Sequence, residues 1–116
     1  MDILIGFIAL FHVYVFVLEA FLWKTPFGQQ TFNTTPEFAK ASHPLAINQG
    51  VYNLFLAAGL IWSLTSTSNE AGLKIFFLSC VVVAAITAGV VVSKLIMLVQ
   101  GLPALVALII VITSYS

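Results

Sequence analysis

Four segments of this chain are long and apolar enough to cross a lipid bilayer as helices, since such a helix needs about 20 mostly apolar residues. Only 7% of the residues are charged, whereas a soluble domain has about 25%, so polar side chains cannot cover a water-soluble globule. We therefore predict an all-α protein, a four-transmembrane-helix bundle in antiparallel up-down order, built as a single integral membrane domain over residues 1–116. The predicted helices cover residues 3–23, 45–64, 73–92 and 95–112.

The connection between the first two predicted helices, residues 24–44, is the only long one. Residues 25–28 read Thr-Pro-Phe-Gly, which indicates a turn. A threonine cap, a proline and an acid at residues 35–37 then indicate a helix start. We expect a short helix from there to about Ser42, ending before Pro44. Three phenylalanines favour an interfacial position for this connection, and they are Phe27, Phe32 and Phe38.

The last two predicted helices form a tight antiparallel hairpin, because only Ser93 and Lys94 separate them. Pro103 leaves two starts open for the fourth helix. It either spans from Leu95 with a kink at the proline, or it begins near Leu102. We favour the full span, because membrane helices tolerate proline where neighbouring groups satisfy the freed carbonyl. Small residues at four-residue spacing favour close packing of the third helix, namely Ala84 with Ala88 and Ala85 with Gly89.

The lysines suggest an orientation. Lys24, Lys40 and Lys94 fall in the first and third connections, whereas Lys74 alone marks the other side, together with both termini. Lysine-rich short loops stay on the cytoplasmic side of the membrane. We therefore expect a multi-pass protein of the cell membrane with the first and third loops in the cytoplasm and both termini outside. The N-terminus lacks the basic region of a signal peptide, so we expect the first helix to be retained.

Glu19 is the most informative residue, because it lies inside the first apolar segment. A carboxylate at membrane depth costs ~2.5–3.5 kcal/mol on insertion scales and normally faces a partner or a water-filled cavity. Intramembrane ionisable residues therefore mark function by default. We expect the protein to act around Glu19.

Other polar side chains are expected to line a ligand pocket with Glu19 in one half of the bilayer. His12 shares a helix face with Glu19, because seven residues are nearly two turns. On the second helix, two pairs of polar residues at four-residue spacing form a polar strip. Amides and a phenol can each donate and accept hydrogen bonds, which suits a neutral polar or zwitterionic head group. The predicted ligand-binding residues are Glu19, His12, Gln100, Asn48 with Tyr52, and Gln49 with Asn53.

Several other chemistries fit the sequence poorly. His12, Glu19 and His43 are too widely spaced for a tight metal site, and the H-E-x-x-H motif does not occur, so no metal is predicted. No paired-histidine pattern supports haem, and the sequence leaves the cofactor open. The single Cys80 allows no intrachain disulfide. Acidic and basic residues balance at four each, and no basic stripe occurs, so no nucleic-acid partner is expected.

Five short motifs spread along the chain are similar to those of one known family. They read FHVY at 11–14, EAFLW at 19–23, TPEF at 35–38, NQGVYNLFLAAGL at 48–60 and VQGLPA at 99–104. Over essentially its whole length the chain thus resembles the domain of unknown function 1304 family of small bacterial integral membrane proteins. The resemblance implies a four-helix protein of the bacterial inner membrane and carries no established activity. Family members often have arginine around the first and third loops, where this chain has only lysine, which weakens any phosphate- or carboxylate-recognition role.

Three functions remain open. The first is a protein that binds a small, partly apolar molecule beside Glu19, with transport or efflux if the pocket alternates access. The second is an enzyme acting on a lipid- or quinone-like substrate, with Glu19 or His12 as general acid or base. The third is a structural or partner-binding subunit. We expect membrane lipid as a partner of such a chain, and the low mass of the chain favours a homo-oligomer.

Overall fold

The computed structural model describes residues 1–115, which form five helices and no strand. Four of these helices are long and apolar enough to span a membrane. The remaining helix is short and is the second along the chain. This confirms the predicted all-α class, with a short helix between the first two long ones. The helices are α1 (Asp2–Ala20), α2 (Pro26–Phe32), α3 (Pro36–Thr65), α4 (Glu70–Val91) and α5 (Lys94–Tyr115).

The short helix lies earlier in the chain than the sequence predicted. Thr25 caps α2, because its side chain accepts a hydrogen bond from the Gly28 backbone N–H at 3.1 Å and donates one to the Leu22 carbonyl at 2.6 Å. Pro26 fits the first helical position, where its missing N–H is not needed. The helix ends at Asn33, which takes a left-handed conformation with φ 54°. The segment 25–28 is therefore a helix start, where we had predicted only a turn.

The predicted stop before Pro44 was wrong, because α3 runs through this proline from Pro36 to Thr65. Thr35 caps the helix by accepting a hydrogen bond from the Phe38 backbone N–H at 3.2 Å. Pro44 removes one backbone hydrogen bond and leaves the carbonyl of Lys40 without its helical donor. Lys40 is exposed, so water can take the place of that donor. At 30 residues, α3 measures about 45 Å, which exceeds the hydrocarbon thickness of about 30 Å.

The helices form two compact units. Met1–Ala9 and the chain from Leu56 onward form one, which we call the hairpin unit. Leu10–Phe55 forms the other, which we call the connection unit. Ser63 and Lys74 are buried polar residues of the hairpin unit, while its main core cluster is apolar and is filled by packing. Its buried residues are Ile5, Ile8, Ala9, Leu60, Leu78, Val81, Ala104, Ala107 and Val111.

The α4–α5 hairpin packs closely through small side chains. A methyl group added at Gly101 on α5 would lie 2.8 Å from the Ala85 Cβ on α4, and one added at Gly89 would meet Met97. These pairs run in opposite directions along the two helices, so the predicted antiparallel hairpin is confirmed. Ala85 and Gly89 form one of the two small-residue pairs predicted for this helix. Since α5 begins at Lys94, the full-length fourth helix is also confirmed.

A buried lysine joins three helix ends in the hairpin unit. Lys74 has 3% of its side chain exposed, and its Nζ lies 3.0 Å from Asp2 Oδ1 and 2.6 Å from Glu70 Oε1. The Tyr115 hydroxyl donates to the same Glu70 oxygen at 2.8 Å. The starts of α1 and α4 thus meet at the Lys74 ammonium group, and the end of α5 joins them through Glu70. Two acids neutralise this lysine, which allows it to be buried.

We expect Asp2→Asn and Glu70→Gln to act non-additively on stability. Each single change leaves Lys74 one carboxylate, whereas the double change leaves a buried ammonium with none, so the double should lose more than the sum of the singles. Unfolding by increasing SDS in mixed micelles measures this difference. Asp2→Asn combined with Glu37→Gln is the matched control, since Glu37 is an exposed acid of another helix. If the stability losses of the single changes add up equally well in both double variants, Asp2 and Glu70 do not act together on Lys74.

We expect Gly28→Ala to lower the free energy of unfolding by about 1–3 kcal/mol, the usual range for overpacking. A Cβ at Gly28 would overlap the backbone carbonyl of Leu22, which cannot move without breaking the Thr25 cap. Gly6→Ala and Gly72→Ala are the controls, because nothing lies within 4 Å of a methyl group at either position. Both controls should be neutral or stabilising by up to about 1 kcal/mol, since alanine is the better helix former. The same SDS titration measures all three, and equal losses would refute the explanation.

Candidate ligand site around Glu19

Glu19 is a buried carboxyl group in the last turn of α1, with 4% of its surface exposed. The helix ends at Ala20, where the backbone N–H groups of Phe21 and Leu22 both bond the Val17 carbonyl. The negative end of the helix dipole lies at this terminus, so an acid here is disfavoured by the dipole as well as by burial. Neither folding nor packing favours a carboxylate at this position.

Asn53 of α3 is the hydrogen-bond partner of Glu19. Its side-chain Nδ2 donates to Glu19 Oε1 at 2.6 Å and to the backbone carbonyl of Gln49 at 3.3 Å. Both hydrogens of the amide are thus used, and the second bond holds the amide group against its own helix. Asn53 is itself only 8% exposed. The pair is a buried acid–amide contact that joins α1 to α3.

Gly50 allows the close approach of the two helices at this point. A Cβ there would lie 3.3 Å from the Glu19 Cβ and 3.3 Å from the Phe16 carbonyl, tighter than ordinary van der Waals contact. Gly50 precedes Asn53 by three residues and lies on the same side of α3. The absence of a side chain at residue 50 therefore brings the Asn53 amide within reach of the acid.

Both ion pairs found among residues 1–115 belong to Lys74. Glu19 is consequently held by a neutral amide, and the described residues give it no cationic partner. One of its oxygens accepts from Asn53, which leaves the carboxyl group able to hold a proton, bind a cation or accept a hydrogen bond from a ligand. No group of three or more His, Cys, Asp or Glu side chains that could hold a metal lies in residues 1–115.

His12, the other titratable residue predicted for the site, is fully buried on α1. Its ring packs edge-on against Phe11, with centroids 5.6 Å apart. His12 lies seven residues before Glu19, about 10 Å along the helix at 1.5 Å per residue. Its predicted role in ligand binding stays a prediction.

Three other predicted site residues lie on α3, and a fourth belongs to the hairpin unit. Asn48, Gln49 and Tyr52 are exposed, with Tyr52 at 60% and its ring packed edge-on against Phe55 at 5.9 Å. Two residues of the polar strip on α3 take part in this site. The Asn53 side chain bonds Glu19, and the Gln49 backbone carbonyl accepts a second bond from the Asn53 amide. Gln100 is partly buried on α5, in the hairpin unit. The ligand-binding roles of these four residues remain predictions.

Sequence reasoning missed a second set of bonds at the end of α1. Trp23 Nε1 donates to Ser42 Oγ at 3.1 Å, and His43 Nε2 lies 3.3 Å from the Ala20 carbonyl, next to Glu19. We had placed Ser42 at the end of a separate helix. The continuous course of α3 is what brings these residues to α1. No sequence signal pointed to these bonds. The ion pair of Glu70 and Lys74 was also not predicted, although their four-residue spacing could have indicated it.

Comparison with known families gives one match. The family described as "Protein of unknown function (DUF1304)" matches residues 6–112, nearly the whole chain. No curated protein and no solved structure matches the chain. The match agrees with the resemblance seen in the sequence motifs and assigns no activity. The chain belongs to the DUF1304 family, whose function is unknown.

Proposed function

We propose that this protein is a small multi-pass protein of the bacterial inner membrane that binds a small, partly apolar molecule, with the Glu19–Asn53 pair holding its polar head. One observation supports the proposal above others. Glu19 is a buried acid in a helix of membrane-spanning length, and its hydrogen-bond partner is a neutral amide.

A purely structural contact between α1 and α3 does not require a charge. Hydrogen bonds between membrane helices average only about 0.6 kcal/mol, and two amides would provide one without the insertion cost of an acid, ~2.5–3.5 kcal/mol. The difference favours a role in which the carboxyl group gains or loses a proton or a cation. A ligand with a cationic head can supply the cation, and a ligand with a hydrogen-bond-donating head can supply the hydrogen that the carboxyl group accepts.

The surroundings of the pair suit an apolar body on that ligand. Phe16 lies beside the site, since its carbonyl and ring edge are the neighbours of Gly50. Its ring packs edge-on against Phe21 at 5.7 Å, and Phe21 is 69% exposed. A polar head at Glu19 would therefore have aromatic surface leading outward along the end of α1. Coupling of the bound head to a proton on Glu19 is the basis for proposing transport.

The lysines favour cytoplasmic first and third connections. Lys24, Lys40 and Lys94 are all exposed, whereas Lys74 is buried between two acids. With four crossings, the three exposed lysines fall on one side of the membrane, and this side is cytoplasmic by the positive-inside rule.

We expect Glu19→Gln to weaken binding of the co-purifying molecule by roughly 10- to 100-fold, because a hydrogen bond to a charged group contributes about 1.5–3 kcal/mol. Untargeted mass spectrometry of protein extracted in native lipid discs measures the occupancy. Glu37→Gln is the matched control, since Glu37 is an exposed acid outside the site, and it should keep wild-type occupancy.

The same variant separates the alternatives. Transport predicts ligand-dependent proton movement in proteoliposomes that Glu19→Gln abolishes. An acid–base enzyme acting on a lipid- or quinone-like substrate predicts that Glu19→Gln still binds its molecule and loses turnover. If the short Asn53–Glu19 hydrogen bond has only a structural role, Glu19→Gln should keep wild-type ligand occupancy and change only the stability of the protein. Wild-type occupancy in Glu19→Gln would refute the binding proposal.

We expect a cysteine in place of Lys40, in a Cys80→Ser background, to resist a membrane-impermeant thiol reagent in intact inner-membrane spheroplasts and to react after permeabilisation. A cysteine in place of exposed Asn69, in the connection between α3 and α4, should react in both. The reverse labelling pattern would invert the orientation.

A further inference from the structure

One exposed face of α3 combines apolar and polar residues at a spacing that favours helix pairing. The residues follow one another at intervals of three and four, which keeps them within an arc of about 80° on the helix surface. We call this face the α3 seam, and it consists of Leu45, Asn48, Tyr52 and Phe55. Its members are well exposed, at 74% for Leu45, 60% for Tyr52 and 58% for Phe55.

The α3 seam lies opposite the face that α3 uses within its own chain. The buried residues of this stretch are Ala46, Gly50 and Asn53, centred about 150° away around the helix. The contact with Glu19 therefore leaves the seam uncovered. This contact does not explain why Asn48 and Tyr52 lie on the exposed face.

Asn48 makes the α3 seam unsuited to face lipid. It is the fourth residue of the apolar segment 45–64, about 5 Å inside at 1.5 Å per residue. Its side-chain amide has two donor hydrogens and an acceptor oxygen, and hydrocarbon offers none of them a partner. Spacing of this kind, with an asparagine in the seam, is how paired helices fix their register.

We propose that the α3 seam binds the same seam of a second copy of this chain, in a parallel pair with Asn48 facing its counterpart. All copies insert with the same orientation, so a twofold axis along the membrane normal brings identical faces together. An amide is complementary to itself, because one side chain donates where the other accepts. The seam contains no charged residue, so like charges do not oppose the contact.

This proposal is independent of the ligand role of Glu19, which lies on the other side of α3. It gives Asn48 and Tyr52 a contact with protein instead of the direct ligand contact predicted from the sequence. Gln49 lies at the edge of the seam, about 80° from its centre.

Disulfide crosslinking in native membranes tests the contact. In a Cys80→Ser background, Leu45→Cys and Phe55→Cys lie on the seam, while Ile47→Cys and Leu54→Cys lie at matched depth, 40% and 37% exposed, on another face of α3. With a copper–phenanthroline oxidant, we expect roughly fivefold more crosslinked dimer for the seam positions, because a disulfide requires Cα atoms within about 7 Å. Equal crosslinking at all four positions, or none at any, would overturn the proposal.

A second measurement keeps the test independent of cysteine chemistry. We expect Asn48→Leu to raise the dimer dissociation constant in detergent about tenfold, in line with amide-driven association of membrane helices. Gln49→Leu is the control, an exposed amide of the same helix at the same depth, and it should leave the constant unchanged. A monomeric wild type, or equal effects of the two changes, would show that a second copy does not occupy the seam.

Discussion

A backbone polar group that enters hydrocarbon has to find its hydrogen bond inside its own helix. This constraint accounts for the long helices and for the form of the connections. Where the chain leaves α1, Thr25 supplies the bond that starts α2, and Thr35 does the same for α3. Two prolines break the pattern. Pro44 does so at an exposed turn outside the apolar segment, where water can serve the freed carbonyl, and Pro103 does so within α5.

Charged side chains meet the same constraint in two ways. Lys74 is buried between two acids, so its charge is neutralised within the protein. Glu19 is buried beside an amide, which can orient a carboxyl group and cannot neutralise it. The first arrangement holds helix ends together, while the second leaves a charge to be matched by a proton or a ligand. The contrast between the two sites is the main reason to look for function at Glu19.

The long helices could be predicted because length and apolar composition decide them, whatever their neighbours are. The short helix could not, because the same Thr-Pro signal occurs at residues 25–26 and 35–36, and both copies start helices. Pro44 was misleading, since proline stops helices on average and here lies within one. A local signal gives the start of a helix more reliably than its end.

The site was predictable in part for a related reason. An acid at membrane depth is visible in sequence, and so is an amide at a suitable position on α3. Which amide faces the acid depends on the rotation of α3 against α1, and the missing side chain at Gly50 permits the rotation that brings Asn53 to Glu19. Four-residue spacing groups Asn53 with Gln49 on one strip, yet only the backbone of Gln49 supports the site.

The core of the hairpin unit combines residues that are far apart in the sequence. Ile5 belongs to the same core cluster as Leu78, Ala107 and Val111, so this core cannot close before α5 has been synthesised. The α4–α5 hairpin, with two residues between its helices, can pair as soon as it has emerged. A chain truncated before α5 would therefore leave the beginning of α1 without Ala104, Ala107 and Val111 of its core cluster.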